Sequence, residues 1–157
     1  MKKLFILTIF GAAMGWWEGV VVVYIREILS LRTMDLTKII MEQIKRPLFV
    51  TGELGYSLIF IERTREVATI AILICIALLA EKKWFRKIAV FLWAFAVWDL
   101  VYYLALKILI GWPQDLNTID CLFLIPKPWI APVWVPVAVM VGFLVTAGVI
   151  FSKVHKN

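Results

Sequence analysis

The amino-acid sequence predicts an all-α integral membrane protein, with residues 1–157 forming one membrane domain around a bundle of four transmembrane helices. Hydrophobic residues make up 63% of the chain, charged residues only 18%, and the mean hydropathy is +0.92. A water-soluble domain of 157 residues cannot bury that much apolar surface. The apolar residues also fall in separate runs, several of them near the length of a bilayer crossing.

Four apolar runs give the predicted spans, at about residues 4–25, 62–80, 88–110 and 133–151. In the first span, Gly11, Gly15 and Gly19 recur at four-residue intervals and form a ridge that lets a second helix approach closely. The second span has an apolar core of only 14 residues, so the charged turn before it must enter the membrane as well. The third span carries Asp99, whose cost of about 2.5–3.5 kcal/mol is offset by its apolar neighbours.

The long connection between the first two spans predicts an interfacial amphipathic helix. Its apolar residues keep helical spacing at Leu36, Ile39, Ile40 and Ile44, and Pro47 ends the run. The segment that follows, residues 48–61, is compatible with a re-entrant segment or with an extension of the second span.

The connection before the fourth span predicts an ordered cap across one mouth of the bundle. It is rich in proline and tryptophan, with prolines at 113, 126, 128, 132 and 136 and tryptophans at 112, 129 and 134. Prolines at this density exclude a continuous helix, and tryptophan favours the boundary between water and lipid.

The distribution of basic residues predicts a multi-pass protein of the cell membrane with both termini in the cytoplasm. The N-terminus, the loop at residues 81–87 and the C-terminus together hold eight lysines or arginines against one acid, Glu81. By the positive-inside rule, that side faces the cytoplasm, and the cap faces outward.

Charge and cysteine content exclude several classes of function. The net charge of +6 comes mainly from residues beside hydrophobic segments, where topology and lipid head groups account for it, so we expect no nucleic-acid partner. Cys75 and Cys121 lie in different segments, which argues against a thiol oxidoreductase or a zinc site. The single histidine, His155, excludes bis-histidine haem, and no cofactor is evident. The acids would suit magnesium or calcium, although no motif supports such a metal site.

Ionisable residues near the spans converge on one half of the predicted bundle. Asp99, Tyr103 and Lys107 fall at i, i+4 and i+8, with Tyr102 beside them, and so form one polar stripe on a helix. Because lipid cannot solvate such groups, the stripe must face the protein interior. The opposite half of the bundle is almost wholly apolar.

We call this predicted group of residues the vestibule. Its candidate ligand-binding residues are Arg26, Glu62, Arg65, Glu66, Tyr102, Tyr103, Lys107, Trp112 and Asp120, with Asp115 completing its roof, and its candidate acid-base residues are Asp99 and Glu18. Ionisable groups within a membrane are functional candidates by default. The competing interpretation is that Arg26, Arg65 and Lys107 neutralise the acids as purely structural pairs.

Three functions fit the vestibule. The first is binding of an amphiphilic ligand, namely the head group of a lipid, quinone or isoprenoid, with arginine suited to a phosphate or carboxylate. The second is a non-catalytic accessory subunit of a larger membrane complex, or a homo-oligomer. The third is a small proton-coupled transporter, which the apolar inner half disfavours. The sequence leaves open whether the chain is an enzyme; if it is, Asp99 or Glu18 would transfer the proton.

Overall fold

A computed structural model describes residues 2–28 and 53–153. In chain order these residues form α1 (Lys2–Ile28), α2 (Glu53–Ala80), α3 (Trp84–Ile110), β1 (Ile119–Phe123), β2 (Trp129–Pro132) and α4 (Trp134–Lys153). The described part of the chain is therefore mostly helical, as the composition predicts. The amphipathic helix expected around Leu36–Ile44 lies outside the described residues.

Three of the described helices, α1, α3 and α4, are long and apolar enough to cross a membrane. Helix α2 has 28 residues, but the charged residues Glu62, Arg63, Arg65 and Glu66 interrupt its apolar surface. The structure therefore confirms a helical protein with three segments suited to crossing a membrane, whereas the predicted second span, at about residues 62–80, is not confirmed among the described residues.

The helix boundaries answer one question that the sequence leaves open. Residues 53–61 belong to the same continuous helix as residues 62–80, so they extend the predicted second span and do not form a re-entrant segment. Helix α3 ends at Gly111, whose φ of 71° is left-handed and whose N–H donates to the carbonyl of Lys107 at 3.1 Å.

Helices α1 and α3 run parallel and pack through the glycine ridge. Three contacts follow the same order along both helices: Gly11 with Ala94, Gly15 with Trp98, and Gly19 with Ala105. A Cβ atom added at Gly15 would overlap the carbonyl oxygen of Trp98, and one added at Gly19 would lie 2.7 Å from the Cβ atom of Ala105. The glycines therefore set the distance between the two helices, as expected for a small-residue ridge.

Helices α2 and α4 run antiparallel to α3. At one end of the bundle, Lys3 Nζ donates to Glu81 Oε1 at 3.0 Å, and Trp93 packs edge-on against Phe151. The start of α1, the turn between α2 and α3 and the end of α4 thus share one end of the bundle, as the sequence predicts. The residues that follow Gly111 lie at the other end.

The core is a set of aromatic side chains around Phe95 of α3. Its ring lies 5.1 Å from Trp98, 6.1 Å from Phe123 of β1 and 6.0 Å from Phe143 of α4, measured between ring centroids. Toward the end of the bundle that holds Lys3, the core continues as apolar side chains, namely Leu7, Leu73, Ala77 and Val90.

The cap contains a β-hairpin, which the all-α prediction did not include. Strands β1 and β2 pair antiparallel, with Ile119 opposite Pro132 and Cys121 opposite Ile130, and a bulge falls between Cys121 and Phe123. The prolines exclude a helix, as expected, but they avoid the strand interiors: Pro132 is the last residue of β2. The loop between the two strands carries Pro126 and Pro128.

Replacing Gly15 with alanine tests whether the α1–α3 contact determines stability. We expect Gly15→Ala to lower the free energy of unfolding by about 1–3 kcal/mol, because the added methyl group meets the backbone of α3. Gly142→Ala in α4 is the matched control, since a Cβ atom there has nothing within 4 Å. Thermal unfolding of both variants in detergent measures the difference, and equal stability of the two would contradict the packing described here.

Candidate functional site

A buried cavity of about 50 Å³ lies beneath the hairpin, between α1, α2, α3 and β1. Its lining residues are Glu18, Glu62, Arg65, Glu66, Trp98, Asp99, Tyr102, Tyr103, Asp120, Cys121, Leu122 and Phe123. At about 10–15 Å³ for each water, it holds only a few water molecules. We call it the acidic cavity, because five of its lining residues are acids and Arg65 is the one base among them.

Glu18, from α1, is buried and has two hydrogen-bonding partners. Trp98 of α3 donates its indole N–H to Oε2 at 2.9 Å, and Arg65 Nη1 of α2 lies 2.6 Å from Oε1. The glycine ridge makes the first contact possible because it brings α1 close to the turn of α3 that carries Trp98. A carboxylate that accepts two N–H donors is stable inside a protein. Of the two predicted acid-base candidates, Glu18 is therefore better stabilised as an ion than Asp99.

Arg65 joins α2 to α1 at the mouth of the cavity. Its Nε atom donates to both carboxylate oxygens of Glu62, at 3.1 and 3.0 Å, while Nη1 binds Glu18. The side chains of Arg65 and Glu62 are 18% and 26% exposed, so this pair lies at the mouth of the cavity. One guanidinium is therefore shared by two acids.

The contacts of Glu66 and Asp120 fix the hairpin above the cavity. The N–H of Leu124, just after β1, donates to both oxygens of Glu66 at 3.0 Å. The hydroxyl of Tyr103 donates to Asp120 Oδ2 at 2.9 Å, which ties α3 to β1. Because Phe123 also packs against Phe95 and Trp98, the hairpin is a fixed wall of the site.

Asp99 differs from the other acids. Its Oδ2 atom is buried and has no hydrogen-bond partner among the described residues, although the side chain lines the cavity. The charged groups that act on it electrostatically are Glu18 and Asp120, both of which are acids. Of the two predicted acid-base candidates, Asp99 is therefore the one that lines the cavity and has a buried oxygen without a hydrogen-bond donor in the described structure.

Arg26, Trp112 and Lys107, which the sequence places in the vestibule, do not line the cavity. The guanidinium of Arg26 lies over the ring of Trp112, 4.3 Å from its centroid, and Trp112 stacks on Tyr103. These residues form a layer outside the cavity.

Lys107 turns away from the predicted polar stripe. Its Nζ atom donates to the carbonyls of Pro113 at 2.7 Å and Gln114 at 3.1 Å, just beyond the end of α3. A cation is stabilised at that position by the partial negative charge of the helix C-terminus. Asp115, expected in the roof, is an exposed residue that accepts the N–H of Asn117 within a turn.

Four lining residues were not predicted, namely Trp98, Cys121, Leu122 and Phe123. No signal in the sequence singles out Trp98, because a glycine ridge does not indicate which residues of the partner helix it meets. Burial, followed by the nearby carboxyl of Asp120, raises the pKa of the Cys121 thiol to about 12. That thiol therefore stays protonated at neutral pH and is a poor nucleophile.

The carboxyl groups are spread over the cavity walls. Among the side chains that the structure describes, those of residues 2–27 and 60–153, no three histidine, cysteine, aspartate or glutamate groups come together closely enough to hold a metal ion. The arrangement therefore offers several separate hydrogen-bond acceptors to a ligand.

Comparison with protein-family models, with curated proteins and with solved structures finds no match for this chain. Inference about function therefore rests on the geometry of the acidic cavity.

A double-mutant cycle on Glu18 and Arg65 measures how strongly the acidic cavity depends on its guanidinium. We expect Arg65→Met to lower the free energy of unfolding by about 3–5 kcal/mol, because it leaves Glu18 buried without a cation. Adding Glu18→Gln should recover much of that loss. The pair of Glu81 and Lys3, whose side chain is 65% exposed, is the control, with a coupling energy of at most about 1 kcal/mol. Additive effects at Glu18 and Arg65 would contradict a buried pair.

Proposed function

We propose that this chain is a membrane protein that binds an amphiphile with a primary ammonium head, with the head in the acidic cavity and the tail outside it. The observation that carries the proposal is the charge of the lining: five acids and, among the described residues, one guanidinium. Buried carboxyl groups need donors or cations, and an ammonium group supplies three N–H donors and a positive charge.

The charge of the cavity favours a cationic head group over the phosphate or carboxylate that the sequence suggests as one option for an amphiphile. A phosphate or carboxylate head would need the cations Arg26, Arg65 and Lys107. Only Arg65 lines the cavity, and it already binds Glu18 and Glu62. An anion there would share the cavity with five acids, and like charges repel one another.

The size of the cavity favours a small head group. An ammonium group is compact and comparable to a water molecule, so it fits a cavity of about 50 Å³ with room for a few waters. A quinone ring needs a much larger site, because ligand pockets for such molecules measure about 300–1,000 Å³. The tail would leave at the mouth, beside the partly exposed pair of Glu62 and Arg65.

The proposal also assigns a position in the membrane. We propose that α2 is a fourth span whose charged turn, Glu62–Glu66, meets the head groups, so that the mouth of the cavity lies at the outer boundary. The three basic segments, namely the N-terminus, the loop at residues 81–87 and the C-terminus, would then lie in the cytoplasm of a cell-membrane protein. This orientation agrees with the positive-inside rule.

The alternative of an accessory subunit is supported by one observation on α4. Its glycines, Gly142 and Gly148, face open space, with nothing within 4 Å of an added Cβ atom. Under this alternative, the contacts of Glu18, Glu62 and Arg65 are purely structural. Transport has less support, because apolar side chains, Leu73, Ala77 and Val90, fill the bundle beyond the cavity.

Calorimetry with a short amphiphile tests the proposal. The protein in phosphatidylcholine nanodiscs should bind octylammonium above the background of empty nanodiscs. It should bind octyltrimethylammonium more weakly, because the larger head exceeds the cavity, and octanol should show only the background. Asp99→Asn should weaken octylammonium binding about 10–100-fold, the loss expected for one charge-assisted hydrogen bond.

The matched control is Asp115→Asn, which removes an exposed acid of the same cap and should leave binding unchanged. Equal binding of octanol and octylammonium, or an equal loss in both variants, would contradict a cation site in the cavity.

A further inference from the structure

We propose that the acidic cavity exchanges a proton for its cationic ligand, and that Asp99 carries the exchanged proton. This inference rests on the proposed function and adds a coupling between ligand binding and pH. Three observations support it: a small cavity with one partly exposed mouth, acids on every wall, and one buried carboxylate oxygen without a donor in the described structure.

Titratable groups face Asp99 from every element around the cavity. They are Glu18 from α1; Glu62, Arg65 and Glu66 from α2; Tyr102 and Tyr103 from α3; and Asp120 and Cys121 from β1. If all five acids were ionised, the formal charge of these groups would be strongly negative even with Arg65 present. Like charges that line one small cavity repel one another. An empty cavity therefore retains at least one proton.

The hydrogen bonds indicate which acid holds that proton. Glu18, Glu62 and Glu66 each accept N–H donors, and Asp120 accepts the hydroxyl of Tyr103. All of these contacts stabilise an ionised carboxylate. The Oδ2 atom of Asp99 has no such donor within the described structure. A neutral carboxylic acid needs fewer donors there and can itself donate its O–H to a neighbouring acid.

Ligand binding changes this balance. The ammonium group brings the N–H donors and the positive charge that Asp99 lacks, so the carboxylate becomes the stable form. The O–H bond of Asp99 breaks, its proton passes to water, and the ammonium donates a hydrogen bond to the carboxylate. One positive charge enters as one leaves, and the charge of the cavity does not change.

The proton has one route out of the cavity. Toward the end of the bundle that holds Lys3, the described core is apolar, with Leu73, Ala77 and Val90 almost fully buried. Toward the mouth, Glu62 and Arg65 are partly exposed. Proton and ligand therefore exchange with the same side, which makes this a binding site that responds to pH and not a path across the membrane.

Calorimetry in buffers of different ionisation enthalpy counts the protons released when octylammonium binds. We expect about one proton per ammonium bound near neutral pH, and an affinity that rises with pH by up to about tenfold per unit, since a released proton is favoured at low proton concentration. Asp99→Asn should abolish the release while weak binding remains, and Asp115→Asn should behave as the unmodified chain. Ammonium binding without any dependence on the buffer would overturn this inference and leave the proposed function intact.

Infrared difference spectroscopy of the ligand-free protein tests the proton independently of any ligand. We expect the C=O stretching band of a protonated carboxyl group at neutral pH, which Asp99→Asn removes and Asp115→Asn retains. If octylammonium does not bind but the band is present and depends on Asp99, the proposed function is wrong. The inference that Asp99 is protonated in the ligand-free protein is then still supported. A spectrum without such a band at neutral pH would overturn the exchange.

Discussion

The constraint on which this structure depends is the placement of five carboxyl groups, three of them on buried residues, around a single lining guanidinium. Removing such groups from water costs several kcal/mol each unless donors or cations replace the lost solvation. Particular contacts offset most of this cost. Arg65 binds Glu18 and Glu62, the N–H of Leu124 donates to Glu66, and the hydroxyl of Tyr103 donates to Asp120. Asp99 Oδ2 has no partner within the described structure, and the proposed chemistry follows from that one exception.

The packing of the helices makes these contacts possible. Because Gly15 lies against Trp98, the indole N–H reaches Glu18 across the α1–α3 interface. The aromatic ring of Phe123 then fixes the hairpin against α3, so the acids of the hairpin and of α2 face the same cavity. Three of the buried polar side chains, those of Glu18, Glu66 and Asp120, line this one cavity. The remaining core is apolar, which limits the site to one side of the bundle.

Helical spacing predicted much of this site. Eight of the eleven candidate residues line the cavity, namely Glu18, Glu62, Arg65, Glu66, Asp99, Tyr102, Tyr103 and Asp120. Spacing fixes the face of a helix on which a residue lies, but not where a long side chain ends: Lys107 reaches past its helix to free carbonyls. For that reason the sequence suggested a balanced set of charges and, as one option, a phosphate or carboxylate head group, whereas the geometry is acidic. The hairpin was also missed, because strands of five and four residues among prolines give little periodic signal.

The central claim is that the acidic cavity holds an organic cation in the membrane of its own cell. Native mass spectrometry of the protein released from lipid nanodiscs, with no ligand added, tests it most directly. The account predicts a bound molecule that fragments to a primary amine in the unmodified protein and is missing from Asp99→Asn. A bound anionic lipid or quinone that disappears in the same variant would contradict it.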